Sequence, residues 1–167
     1  MDIINSILGV SFSILLVYLI LVLGLNFLKI ERNKRKRQEI NVQIRGLANN
    51  TLEMTPQEFM EMRKATCGGR KFYALTQNFA GVYILHNRTK NMYYVGQGQK
   101  VFDRVNSHFS GRGNGDVYAD YKYGDVFTIK MIELEKSGFK TLNELERYTI
   151  TTYNSFAKGY NKTRGNK

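Results

Sequence analysis

The first 28 residues carry a different hydrophobic pattern from the rest of the chain. Ile3 to Leu28 contain no charge, and Ile7 to Leu25 is mostly Leu, Ile, Val and Phe, interrupted by Gly9, Ser11, Ser13 and Gly24. About 20 such residues suffice to cross a bilayer as a helix. A secretory signal peptide needs a basic start, a shorter apolar core and a small-residue cleavage site. Here Asp2 is acidic, and Phe27-Leu28-Lys29 follows the run. The pattern predicts a retained single-pass anchor over residues 1–30, in contact with the membrane through 4–28. A buried core helix is the weaker alternative, because no other segment is apolar enough to surround it. Lys29, Arg32, Lys34, Arg35, Lys36 and Arg37 follow, opposed only by Glu31. The positive-inside tendency holds such a cluster in the cytoplasm. The N-terminus is then expected outside and the C-terminal domain in the cytoplasm, with the cluster near anionic headgroups.

Residues 31–78 read as a basic juxtamembrane connector. Ile40, Val42, Ile44 and Leu47 are scattered through a polar stretch, which suggests a helix ending in a loop at Ala48-Asn49-Asn50. Thr55-Pro56-Gln57-Glu58 is a capping box with Pro at the first helical position. It opens a short helix near 56–66, stopped by Gly68-Gly69, with Phe59, Met60 and Met62 facing the next domain.

From residue 79 the periodicity changes. Val82 to His86 and Met92 to Gly96 are rich in β-branched and aromatic residues around a turn at Asn87-Arg88-Thr89-Lys90. A hairpin symmetric about that turn pairs Tyr83 with Tyr94, with Cβ atoms about 5 Å apart. Val101 to Ser110 reads as a helix that places Arg104 and His108 on one face. Gly111-Arg112-Gly113-Asn114-Gly115 is a loop without the Lys and spacing of a P-loop. Asp116 to Tyr123 suggests a short helix, and Val126 to Leu134 a third strand with Phe127, Ile129 and Met131 on one face. Thr141-Leu142-Asn143-Glu144 opens a last helix to about Phe156. Its apolar stripe is Leu142, Leu145, Thr149, Thr152, Tyr153 and Phe156, with Glu146 at the margin beside Tyr153.

Charge adds a partner class. The chain holds 25 Lys and Arg against 14 Asp and Glu, a net of +11, and the excess is shared by both halves. Basic surfaces attract nucleic acid or anionic lipid without distinguishing them. With Cys67 as the single cysteine, no intrachain disulfide forms, and no Cys/His cluster has zinc spacing.

Six polar side chains now stand out: Tyr83 in Gly81-Val82-Tyr83, Tyr94 in Tyr94-Val95-Gly96, then Arg104, His108, Glu146, and Asn161 in Gly159-Tyr160-Asn161. Singly, each has an ordinary explanation as a sheet pair, a solvated helix face, a core margin or a polar tail. In this order, the region from Gly81 to Thr163 resembles the GIY-YIG nuclease family, with Val in place of Ile in both motif halves. The order, the spacing and the closing Gly-Tyr-Asn look most like its phage homing-endonuclease branch.

The resemblance implies an α+β fold, a three-stranded antiparallel sheet flanked by helices over 79–167, preceded here by one transmembrane helix and a helical connector. It implies a DNA endonuclease using one divalent ion, Mg²⁺ or Mn²⁺, held by Glu146, with no small-molecule cofactor. Arg104 would stabilise the pentacoordinate phosphate. Tyr83, hydrogen-bonded to Tyr94 or His108, would position or deprotonate water, with His108 the alternative base. A phenol of ordinary pKa near 10 is a poor base at pH 7, so nearby positive charge would have to assist it. Asn161 would be a structural or phosphate-contacting amide. Lys100, Arg112, Lys162 and Arg164 are candidate DNA contacts. With residues 1–80 occupied by span and connector, low sequence specificity, or a protein partner supplying it, is expected. The rival readings are a catalytically silent, membrane-tethered nucleic-acid-binding protein of the same fold, and a membrane scaffold that never meets DNA.

Overall fold

The computed structural model describes residues 2–67, 71–72 and 77–165; the side chains of 2–14, 66–67 and 71–72 lie outside that description. The chain divides into two units, Met1–Ile40 and Asn41–Lys167. Helix α1 runs Asp2–Asn49. In the first unit its apolar residues are uncovered: Leu15, Leu19, Ile20, Leu25 and Leu28 are each more than half exposed. Among the described residues, no helix is long and apolar enough to cross a membrane. Residues 4–14 of the expected span lie outside the described side chains.

The second unit opens with the last turns of α1. Ile44 and Ala48, four residues apart and so on one helix face, are completely buried. Around them Gln43 Nε2 donates to the Ser137 carbonyl at 3.1 Å, Arg45 Nη2 to the Thr152 carbonyl at 3.3 Å, and Thr152 Oγ1 to Asn41 Oδ1 at 2.8 Å. The stretch read as connector therefore belongs partly to this unit's core. Of its apolar residues Ile44 and Ala48 lie on the buried stripe, whereas Val42 points away and is 71% exposed.

Helix α2, Pro56–Lys64, has the expected capping box: Thr55 N donates to Glu58 Oε2 at 2.7 Å and Glu58 N to Thr55 Oγ1 at 3.2 Å. It ends before the expected Gly68-Gly69 stop, which lies outside the described residues. Phe59 is fully buried, and Met60 and Met62 pack at the core's margin. Two short strands, β1 (Thr66–Cys67) and β2 (Lys71–Phe72), pair with each other.

The main sheet is antiparallel, in the order β4-β3-β5. Central β3 (Gly81–Asn87) is buried along almost its whole length. β4 spans Met92–Gly98 and β5 Phe127–Glu133. Tyr83 and Leu85 of β3 and Phe127, Ile129 and Met131 of β5 face a core completed by Phe59, Phe102, Val105, Phe109 and Val117. Those last residues come from α2, from α3 (Val101–Phe109) and from α4 (Gly115–Lys122). Helix α5 (Leu142–Tyr153) packs on β4 and β3.

Two expectations are corrected. Tyr83 pairs with Gly96, and Tyr94 with Leu85. The turn is Arg88 to Asn91, since Asn87 is still paired, with Met92. Asn87 Oδ1 accepts from the amides of Thr89 at 3.0 Å and Lys90 at 3.1 Å, and Asn91 takes φ +51°. The register moves by two residues, which keeps both tyrosines on one face but makes them diagonal neighbours, ring centroids 6.2 Å apart. The last helix also stops early. Asn154 is left-handed at φ +52°, and a separate turn, α6 (Ser155–Lys158), follows. Phe156 thereby leaves the stripe and is 40% exposed, whereas Ile150 is buried.

Both edges of the sheet are partly covered. Met54 exchanges backbone hydrogen bonds with Ile129 of β5 at 3.1 and 2.8 Å. On β4, Tyr160 N donates to the Tyr93 carbonyl at 2.9 Å, and the Asn161 amide closes on Val95. Ile44→Ala should lower the unfolding free energy of the second unit by about 2–5 kcal/mol, the usual cost of emptying a buried aliphatic site. Urea denaturation of a 41–167 fragment measures this. A loss under about 0.5 kcal/mol, the size of a surface effect, would mean that α1 does not contribute to the core.

Candidate active site

The site forms where β4 runs out of edge partners among the described residues. Beyond Val95 the strand continues through Gly96, Gln97 and Gly98, and a groove of about 570 Å³ lies across it. Side chains alternate across a strand, so the groove is reached from both faces. Tyr83, Tyr94 and Arg104 line it from one face, Gln97 and Glu146 from the other, with Lys100 at its rim. The structure thus brings together four of the six predicted residues, with His108 directly behind them.

Tyr83 is completely buried. A side chain at 96 would overlap its hydroxyl, so only glycine at this position lets the phenol reach the groove. His108 is 1% exposed and places Nε2 at 2.9 Å from Tyr83 Oη. Its other nitrogen, Nδ1, accepts from the backbone amide of Asn114 at 2.9 Å. An N–H donor at Nδ1 requires a lone pair there, so the neutral ring carries its proton on Nε2 and donates to Tyr83. The glycine-rich loop that sequence left without a role supplies this amide. A Cβ on Gly113 would stand 2.6 Å from His108 Nδ1, so glycine is needed for the loop to close over the ring. Asn114 also caps α4, its Oδ1 accepting from Asp116 N and Val117 N at 3.0 Å each.

Burial dominates the electrostatics. It holds the Tyr83 phenol far above its ordinary pKa, reinforced by Tyr94, and Arg104 opposes it only in part. Tyr94 is raised for the same reason, with Arg104 and a hydrogen bond from Tyr83 pulling the other way. The expected assistance from positive charge is therefore present but outweighed. For His108, burial first and Arg104 second push the pKa down to about 4, so the ring is neutral at pH 7.

Glu146 is 9% exposed, and Gln97 Nε2 donates to its Oε2 at 3.0 Å. Asn161 stands apart from the groove. Its Oδ1 accepts from Val95 N at 2.8 Å and its Nδ2 donates to the Val95 carbonyl at 2.7 Å. The amide copies a neighbouring strand, so its role is structural. Of the candidate DNA contacts beyond Lys100, Arg112 donates to Ser110 Oγ at 3.3 Å, Lys162 pairs with Asp116 at 3.1 Å and Arg164 lies over Phe156 at 5.3 Å. None of those three lines the groove. The Lys162–Asp116 pair is exposed and worth little.

Sequence reasoning passed over Gln97, Asn114 and Asp103, which also lines the groove. Asp103 is held by Arg63 of α2 and by Asn78, each at 3.2 Å. Only for Gln97 was there a signal, its place directly after the Tyr94-Val95-Gly96 motif. A smaller cavity of about 230 Å³ on the other sheet face includes Arg45, His86, Tyr93 and Lys130. Its cations are engaged internally, Arg45 with Thr152 and Lys130 with Glu53 at 3.4 Å.

The neutral His108 has a thermodynamic consequence. Its folded pKa of about 4 lies below the ordinary 6.5, so between those values the unfolded chain binds a proton that the folded chain refuses. Stability from this group is complete above pH 6.5 and falls as pH drops toward 4. The loss is roughly 2–3 kcal/mol by pH 4.5. Urea midpoints at pH 7 and 4.5 should shift less in His108→Gln than in the wild type; equal shifts would mean that the buried ring is charged.

Residues 79–161 match the family model of the GIY-YIG catalytic domain. Among solved structures, a mutant of the catalytic domain of intron endonuclease I-TevI is similar, at 26% identity over 52% of this chain and 96% of that one, with a TM-score of 0.41. No curated protein matches the chain. Residues 79–161, which carry the two-tyrosine hairpin, the Arg104 helix and the Glu146 helix, are thus a GIY-YIG catalytic domain, and the domain is that of a GIY-YIG nuclease.

Proposed function

We propose that this chain is a membrane-anchored DNA endonuclease that cuts phosphodiesters in the groove across β4, with one divalent cation at Glu146. The observation that carries the reading is the convergence of Tyr83, Tyr94, Arg104 and Glu146 on one groove. The donor set suits a hard cation. Among the described residues no group of three His, Cys, Asp or Glu converges, and Mg²⁺ is commonly held by one or two carboxylates, with water and substrate phosphate completing its shell. Mn²⁺ has similar oxygen preferences. When bound, the cation supplies charge stabilisation at the phosphate and at the leaving alkoxide.

The chain's own groups do the rest. Arg104 neutralises charge on the phosphate as it becomes pentacoordinate. Tyr83 and Tyr94 orient the attacking water in line with the scissile bond. His108 is not the base, because its Nδ1 lone pair is taken by Asn114 and its Nε2 bears the hydrogen. It acts as a donor that fixes Tyr83. The site at rest then holds no tyrosine or histidine that titrates near neutrality, so the rate follows the supply of deprotonated water and rises with pH.

Supercoiled plasmid with Mg²⁺ or Mn²⁺ tests this reading. Cleavage should need the metal and fall about 10²-fold or more in Glu146→Ala and in Arg104→Ala, the cost of removing a transition-state charge contact. The rate should climb from pH 6 to 9 without an inflection near 6.5. Metal-independent cleavage, or full activity in Glu146→Ala, would refute the assignment. A folded protein that binds plasmid without cutting it would instead support a silent tether.

The anchor accounts for the uncovered Leu15, Leu19, Ile20, Leu25 and Leu28, an apolar surface that water disfavours. Lys29 to Arg37 then lies on the cytoplasmic side and the nuclease with it, acting on DNA brought near the membrane, its target chosen by a protein partner. The full chain should remain in the membrane pellet after an alkaline carbonate wash, and removal of residues 1–30 should release it. Extraction of the intact chain by carbonate would eliminate the anchor.

A further inference from the structure

Gln97 joins the two layers that build the groove. Its backbone belongs to β4, in register with Val82 of the central strand. Its side chain reaches α5, where Nε2 donates to Asn143 Oδ1 at 2.8 Å and to Glu146 Oε2 at 3.0 Å. Asn143 and Glu146 are three residues apart and share a helix face. A primary amide has two N–H donors, so one nitrogen serves both acceptors. Asn would be one methylene short of this reach, and Glu would set a second carboxylate against the first.

We infer that Gln97 is a positioning residue that holds the Glu146 carboxylate in the orientation in which it takes the divalent cation; this rests on the metal role proposed for Glu146. A glutamate side chain has three rotatable bonds, and a lone ligand with that freedom must be ordered each time the ion binds. A donor on Oε2 removes much of that freedom in advance. Groups that hydrogen-bond to metal ligands in this way typically contribute 10–100-fold to metal affinity or activity. A strut that merely joined strand to helix would alter stability but not the cation requirement of the folded protein.

The test uses the full-length chain in detergent solution. Gln97→Met keeps the length and removes both donors. Gln97→Asn keeps the amide but withdraws it, and stands in if the Met variant fails to fold. Mn²⁺ binding is read directly by electron paramagnetic resonance, beside plasmid cleavage across a Mg²⁺ series, with Glu146→Ala as control. The expected result is Mn²⁺ binding weakened 10–100-fold, a matching rise in half-saturating Mg²⁺, and a rate at saturating Mg²⁺ and a KM for plasmid close to wild type. Mn²⁺ binding unchanged in a folded Gln97 variant but lost in Glu146→Ala overturns the role of Gln97 alone. Binding retained in Glu146→Ala overturns the metal reading, and this inference with it.

Discussion

The Tyr83 hydroxyl occupies the space that any side chain at position 96 would fill, and much of the site is arranged around that contact. With the phenol under the backbone of β4, His108 is drawn in behind it at 2.9 Å. His108 in turn needs its second nitrogen satisfied, and the Gly111 to Gly115 loop folds over to supply the Asn114 amide. Each of these hydrogen bonds answers the ordinary demand of a buried polar group for a partner. Together they leave a neutral imidazole that can only donate to the phenol, and a phenol held between that ring and the backbone of β4.

The groove exists because the covering of β4 stops part-way. Tyr160 and Asn161 pair with the strand up to Val95, which removes exposed backbone groups that would otherwise invite another chain. Past that point the strand is open, and residues from both sheet faces reach one another around its edge. Arg104 arrives from α3 and Glu146 from α5, elements on opposite sides of the same sheet. A carboxylate and a guanidinium carried on opposite faces of a sheet can reach one groove at its edge, where no strand stands between them.

Chemistry of this kind is placed by backbone rather than by side-chain reach. Arg104 and His108 sit one helical turn apart on α3, which α2 steadies through the Phe59–Phe102 stack at 5.9 Å and the Arg63–Asp103 pair at 3.2 Å. The last turns of α1 bury Ile44 and Ala48 in the same unit. The polar stretch after the basic cluster thus supports the catalytic scaffold as well as leading to it.

The elements themselves were legible from local pattern. β3, β4, β5, α2, α3 and α4 lie close to where alternation, helical spacing and capping residues put them, because these signals are set by neighbours a few positions away. The six polar positions were legible by order and spacing, and five of them meet at or directly behind the groove. The hairpin register was not, since Asn87 can serve as a turn residue or a strand residue, and its hydrogen bonds to Asp125 and Tyr160, both at 2.7 Å, decide for the strand. The break at Asn154, the reach of Gln97 to Glu146 and the tautomer of His108 were likewise hidden. What the sequence alone determined is which residues are helical, extended or chemically equipped; which of them touch depended on contacts between segments such as 97 and 146 or 95 and 161. Such contacts depend on how whole layers pack and leave no period along the chain.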